Sequence, residues 1–160
     1  MSAVGDIRLQ GKEQSVGEPI EMRSPIGVMQ LLDGVIVHTI DEGAIVTSIA
    51  AAGVIEVTRM LADRKPVAVV VDLRNVGFAD KGSRNMFATN PAGGVEVATA
   101  LVANARVSQF LADLFLREEL TRPTSVFEDL TAARAWAAEQ LRNHLDQAGE
   151  TNPGIDRPTE

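Results

Sequence analysis

The residues best placed to do chemistry lie in one stretch, Val71 to Phe87, which reads VDLRNVGFADKGSRNMF. Asp72 closes a β-branched run, and Asp80, Lys81, Gly82, Ser83 and Arg84 follow across a short loop. Aspartate is a favoured helix N-cap, so a short helix is predicted over residues 80–90. Its first turn would offer free N–H groups and a partial positive charge. A phosphate on Ser83 would be held there by the dipole and by Lys81 or Arg84. The plainer alternative is a capped helix carrying two solvated bases. In parallel α/β sheets the crevice beyond the carboxyl ends of the strands is the usual binding region, and this loop is expected there.

Other chemistry is thin. There is no cysteine, which removes disulfides, thiolate metal sites and a thiol nucleophile. No G-x-S-x-G elbow, P-loop or G-x-G-x-x-G follows a strand. Gly93-Gly94 precedes a strand and is read as a loop needing positive φ. His38 and His144 stand alone in sequence. Zinc bound without cysteine would need histidines and carboxylates converging from several elements, and no spacing here suggests it. His38 is read as an ordinary strand residue, and His144 as a solvated residue near the end of the last helix. The pairs Asp41-Glu42, Glu118-Glu119 and Glu128-Asp129 are adjacent and lack the split environments that acid–base work requires. No catalytic residue, metal or cofactor is therefore expected.

The elements that must position the central stretch follow from periodicity. Gly27 to Leu32 and Val35 to Ile40 flank Asp33-Gly34, a type I′ hairpin signal. Val46, Ile49, Ala50, Gly53, Val54, Val57, Met60 and Leu61 recur at helical spacing, giving an apolar helix over about residues 44–61. The run Asp63-Arg64-Lys65-Pro66 ends it. Val67 to Val71 reads as a strand buried on both faces. A strand from Glu96 to Val102 follows, then a helix with Val107, Phe110, Leu111, Leu114 and Phe115. Thr124 to Phe127 is a short strand. Asp129 caps a last helix with the stripe Leu130, Ala133, Ala137 and Leu141 and Trp136 on its flank. The expected fold is α/β: a mixed sheet, an antiparallel hairpin and then parallel strands, covered by about four helices. Residues 1–18 and 146–160 are polar and aperiodic and are expected to be tails around one domain, 19–145.

The chain has 160 residues and a formal net charge of −7. A nucleic-acid partner is not expected, because the basic footprint is missing. The N-terminus carries no apolar run of the signal-peptide or anchor kind, and no run approaches the ~20 residues that span a bilayer. A cytoplasmic location and no membrane insertion are the expectations. A homodimer is plausible, since two-fold dimers are the commonest assemblies, and the exposed edge of the Asp33-Gly34 hairpin is one surface for it.

The stretch from Asp72 to Asp80 resembles the STAS family, which includes anti-sigma-factor antagonists of the SpoIIAA type and the cytoplasmic domains of sulphate transporters. Asp72 matches the family's first Asp, Leu73 the apolar residue after it, Val76 and Phe78 the next apolar pair, and Asp80 the second Asp. The element order over roughly residues 26–145 looks similar too. The resemblance implies a regulatory module that binds a protein partner, such as a kinase or an anti-sigma factor. Where the antagonists carry two serines this chain has Lys81 and Gly82, and Ser83 stands at the family's glycine. The alternative is a small-ligand or lipid-binding protein of the STAS/SEC14-like kind, with a cavity opened beneath the loosely packed helix 44–61.

Overall fold

A computed structural model describes residues 18–156. Six strands form one sheet in the order β1-β2-β3-β5-β7-β8: β1 Ile20–Ser24, β2 Gly27–Leu32, β3 Val35–Ile40, β5 Val67–Asp72, β7 Glu96–Val102 and β8 Thr124–Phe127. The first three are antiparallel and the rest parallel. This is the mixed sheet that the hairpin and the alternating units call for. Asp33 and Gly34 turn β2 into β3 with φ of 53° and 82°, and only residues that tolerate the left-handed region close such a turn cheaply.

Four helices cover the sheet: α1 Ser48–Ala62, α2 Lys81–Thr89, α3 Arg106–Leu116 and α4 Leu130–Asp156. Alternation along the central strands sends Ile36 and Val69 to one face with Val54, Leu61 and Leu111. It sends Val35, Val37, Ala68 and Val70 to the other, against Ala133, Ala137 and Leu141 of α4. Small alanines on both α4 and the strands bring that helix close to the sheet.

Several elements depart from expectation. Residues 19–26 hold the edge strand β1, so β2 is an inner strand and the Asp33-Gly34 hairpin presents no free edge. The apolar segment from Ala44 is not all helix. Ala44–Val46 is strand β4, which pairs in parallel with β6, Val76–Ala79, in a separate two-stranded ribbon. Each was too short to show a period. The helix begins only after Thr47, whose side chain accepts from Ala50 N.

The buried face of α1 is Ala51, Val54, Ile55, Thr58, Leu61 and Ala62, while Ile49 and Met60 face solvent. A reading by apolarity alone prefers Ile49 to Ala51. It also overlooks Thr58, whose hydroxyl is satisfied by Val54 O at 2.9 Å. In α3, Val107 and Phe110 are likewise exposed, because Ser108 and Ala112 take the inner positions beside Leu111 and Phe115. Helix α4 continues through residues 146–156, where a tail was expected, and its residues 142–149 are exposed. His144 is therefore mid-helix and not near a C-terminus. Residues 1–17 and 157–160, read as tail sequence, lie outside the described residues.

Candidate functional site

The ribbon β4–β6 organises the region singled out in the sequence. Two parallel strands run side by side, and each leads through one capping residue into a helix: β4 through Thr47 into α1, and β6 through Asp80 into α2. The two helix starts are in contact. A Cβ added to Gly82 would fall 2.3 Å from Ser48 Oγ, so residue 82 is held to a small side chain unless Ser48 turns away.

The six candidate residues fall into two groups that no hydrogen bond or ion pair joins among the described residues. Asp72 stands apart, capping the 3-10 turn Leu73–Asn75. Its Oδ1 accepts from Arg74 N at 3.1 Å and from Arg74 Nε at 2.8 Å, and its Oδ2 from Arg74 Nη2 at 2.7 Å. Partial burial pulls its pKa upward, but the bonds from Arg74 outweigh that and hold the carboxyl below its ordinary value. It is a clamped turn residue.

The second group is Asp80 to Arg84. Asp80 Oδ1 accepts from Ser83 N at 2.7 Å, which makes Asp80 the expected N-cap of α2. Ser83 is fully buried, and its hydroxyl donates to Asp80 O at 2.8 Å. A kinase could reach that oxygen only if the first turn of α2 opened. Lys81 is largely exposed, its Nζ 3.8 Å from Glu118 Oε2. Arg84 is held inside: Nη1 donates to Ala79 O at 2.7 Å, Nε lies 3.6 Å from Glu118 Oε2, and that Nε is buried without a hydrogen-bond partner. The two bases thus share one buried carboxylate, and only Lys81 is a solvated base.

Beside these positions lies exposed apolar surface that the sequence reading missed. Ile45 and Phe78 are register partners across the ribbon. They are 59% and 44% exposed, and Ile49, in the first turn of α1, is 86% exposed. Partners across a ladder project to the same side, so Ile45 and Phe78 form one patch at the mouth of the two helix starts. A period-two or helical pattern reads such residues as core, which is why they stayed hidden.

Below this surface, between the sheet and α1, α2 and α3, is a cavity of about 80 Å³. Its walls are mostly apolar, but His38, Arg84, Glu96, Thr99 and Arg122 also line it. Arg122 is the hub of that polar wall. It donates to Phe87 O at 2.7 Å, Ala88 O at 3.0 Å, Thr99 Oγ1 at 2.9 Å and Glu96 Oε2 at 3.1 Å. Burial pushes the Glu96 carboxyl upward, against the pull of Arg122 and Thr99. At the other wall, His38 Nε2 is 2.8 Å from Ser24 Oγ. The distance suits a hydroxyl and its base, but both residues are buried. Desolvation lowers His38 to about 4 despite the opposing pull of Asp41, so the ring is neutral at pH 7. Among the described residues no group of three or more His, Cys, Asp or Glu could hold a metal ion, and no helix is long and apolar enough to cross a membrane.

These features define a mixed α/β domain whose exposed apolar patch and interior cavity both sit at the α1–α2 side. The chain belongs to the family described as a domain of unknown function, DUF7793, whose family model matches residues 29–141. No curated protein matches it. Among solved structures it is similar to an uncharacterised DUF3478-family protein with a SpoIIAA-like fold from Shewanella loihica PV-4. The identity is 12% and the TM-score 0.42, over 74% of this chain and 91% of that one.

Proposed function

We propose that the domain is a non-enzymatic interaction module that docks a protein partner on the face formed by the β4–β6 ribbon and the starts of α1 and α2. The observation that carries this reading is the pair Ile45 and Phe78, large apolar side chains in register across the ribbon and left in water, with Ile49 exposed in the first turn of the helix that follows β4. Scattered exposed apolar residues are ordinary, but a contiguous group marks a binding surface. Helix α1 is capped by the neutral Thr47 and has no acidic residue in its first turn, so its positive dipole end is uncompensated and suits a partner with an acidic group next to its apolar contact, whereas the carboxylate of Asp80 already faces that of α2. Regulation through phosphoserine has no support from position 83.

The test is binding of candidate partners to isotope-labelled protein. Amide shifts should centre on residues 45–49 and 76–84, and Phe78→Ser and Ile49→Asp should abolish binding while leaving thermal unfolding unchanged. Shifts confined to another surface would refute the reading.

A second reading, a small-ligand binder, is favoured by the cavity. At about 80 Å³ it has roughly half the volume of a cavity that holds benzene. It suits a molecule of a few heavy atoms and is too small for an acyl chain. Xenon or a short alcohol should raise the unfolding temperature if the cavity admits ligands. No stabilisation by either would count against this reading.

A further inference from the structure

We propose that two copies of this chain join through β1, antiparallel and centred on Met22, to make one continuous twelve-stranded sheet. Strand β1 is the outer strand of the sheet, and nothing among the described residues pairs with its far side. The ladder pattern says which backbone groups that side offers. Leu32 and Val35 flank the two-residue turn Asp33-Gly34, so they form a hydrogen-bonded pair. Asp41 N donates to Ile26 O at 2.8 Å, in phase with it. Even-numbered residues of β2 therefore bond to β3, and Gly27, Met29 and Leu31 bond to Ser24, Met22 and Ile20. The free N–H and C=O groups of β1 are then those of Glu21 and Arg23.

Only three two-fold registers use those groups. Centring on Glu21 sets Glu21 against its own copy, and centring on Arg23 does the same with arginine. Like charges directly opposite are destabilising. Centring on Met22 sets Glu21 opposite Arg23 of the second copy and Arg23 opposite its Glu21, with four backbone hydrogen bonds and Met22 facing Met22. Charges on an edge strand ordinarily discourage pairing, but these, of opposite sign on either side of Met22, discourage every register but one. The two side chains remain available. Glu21 accepts from Gln30 Nε2 at 3.0 Å and Arg23 pairs with Asp41, yet Arg23 and Asp41 are 59% and 49% exposed, and a guanidinium has donors to spare. Met22 is half-buried against the core together with Ala50 and Val57 of α1, so its copy would complete an apolar seam already begun.

The experiment is light scattering and sedimentation on the full chain and its charge variants. The wild type should have twice the chain mass. Glu21→Arg and Arg23→Glu should each run as monomers, and the double exchange should restore the dimer. Circular dichroism checks that the variants fold. The chain has no cysteine, so Met22→Cys supplies a second, independent reading. A non-hydrogen-bonded antiparallel pair sits about 4.5 Å apart at Cα, within the span of a disulfide. Mild oxidation should cross-link Met22→Cys fully and the control Gln30→Cys hardly at all. A monomeric wild type, single reversals that stay dimeric, or equal cross-linking of the two cysteine variants would each overturn the proposal.

Discussion

Arg122→Met should be the most destabilising single change at the cavity wall, and its cost can be worked from the site. The side chain is 5% exposed and its ion-pair partner Glu96 is 11% exposed. Methionine keeps the length and apolar stem but leaves a buried carboxylate without its counter-charge. The protein can escape by protonating Glu96. At pH 7 that costs at most about 3.4 kcal/mol more than in the wild type, since 2.5 pH units separate pH 7 from an ordinary value of 4.5 at about 1.36 kcal/mol per unit and the wild-type carboxyl is already raised above that value. The lost bonds to Phe87 O and Thr99 add about 1 kcal/mol. Ala88 O is not orphaned, because Thr121 also donates to it. The total, up to about 4 kcal/mol, reaches the range for breaking a buried pair and should lower the unfolding temperature by up to roughly 10 °C. The sign of the pH dependence follows. A raised folded-state pKa means that the folded protein binds the extra proton, so this contribution is full below about pH 4.5 and is lost as pH rises above it. The defect of Arg122→Met should therefore shrink to about 1 kcal/mol near pH 4.5. Adding Glu96→Gln should recover up to about 3 kcal/mol at pH 7 and remove the pH dependence. Urea unfolding followed by the fluorescence of Trp136, which packs on Phe127 with ring centroids 5.6 Å apart, gives the cycle. A single-variant loss below about 1 kcal/mol, or additive costs in the double variant, would refute the argument.

Other outcomes follow from the same structure. His38 should act in the opposite sense to Glu96: its folded pKa of about 4 lies below the ordinary 6.5, so its contribution is full above pH 6.5 and is lost as pH falls toward 4, amounting to about 3 kcal/mol. The difference in urea stability between wild type and His38→Gln across that window should carry this slope, and parallel curves would contradict it. Asp80→Ala removes the cap of α2 and should cost about 1 kcal/mol, read by equilibrium unfolding. Gly27→Ala should cost about 1–3 kcal/mol or more, because its Cβ would fall 2.1 Å from Thr39 O, a backbone atom that cannot rotate away. An unfolding midpoint equal to wild type would show that β2 and β3 separate more easily than this packing implies.

The long periodic elements were legible, and the reasons are local. Val67 to Val71 reads as a buried strand because every residue is apolar, and Asp63 and Asp80 mark a helix end and a helix start by their chemistry alone. The ribbon strands Ala44–Val46 and Val76–Ala79 were hidden because three or four residues carry no period. Strand β1 was hidden because its alternating IEMRS lies between two prolines at the end of a polar segment. Within the candidate site, the capping role of Asp80 was legible, but the burial of Ser83 was not. Arg122 and Glu96 could not be matched from sequence, since 26 positions separate them and each sits at the border of an element where a charge is normally solvated. Nor could the exposure of Ile45 and Phe78 be foreseen, since it arises from a pairing between strands distant in sequence.

The unequal packing of the two faces of the sheet has a consequence for how the domain responds to hydrostatic pressure. Pressure favours states with less internal void. The alanine-lined layer under α4 has little to give up, whereas the layer under α1, α2 and α3 encloses the cavity. Compression should therefore shift the methyl resonances of Val54, Val69 and Leu111 before those of Val70, Ala100 and Ala137. The sheet would then act as a stiff wall with one soft side, and that side is the one carrying the exposed patch.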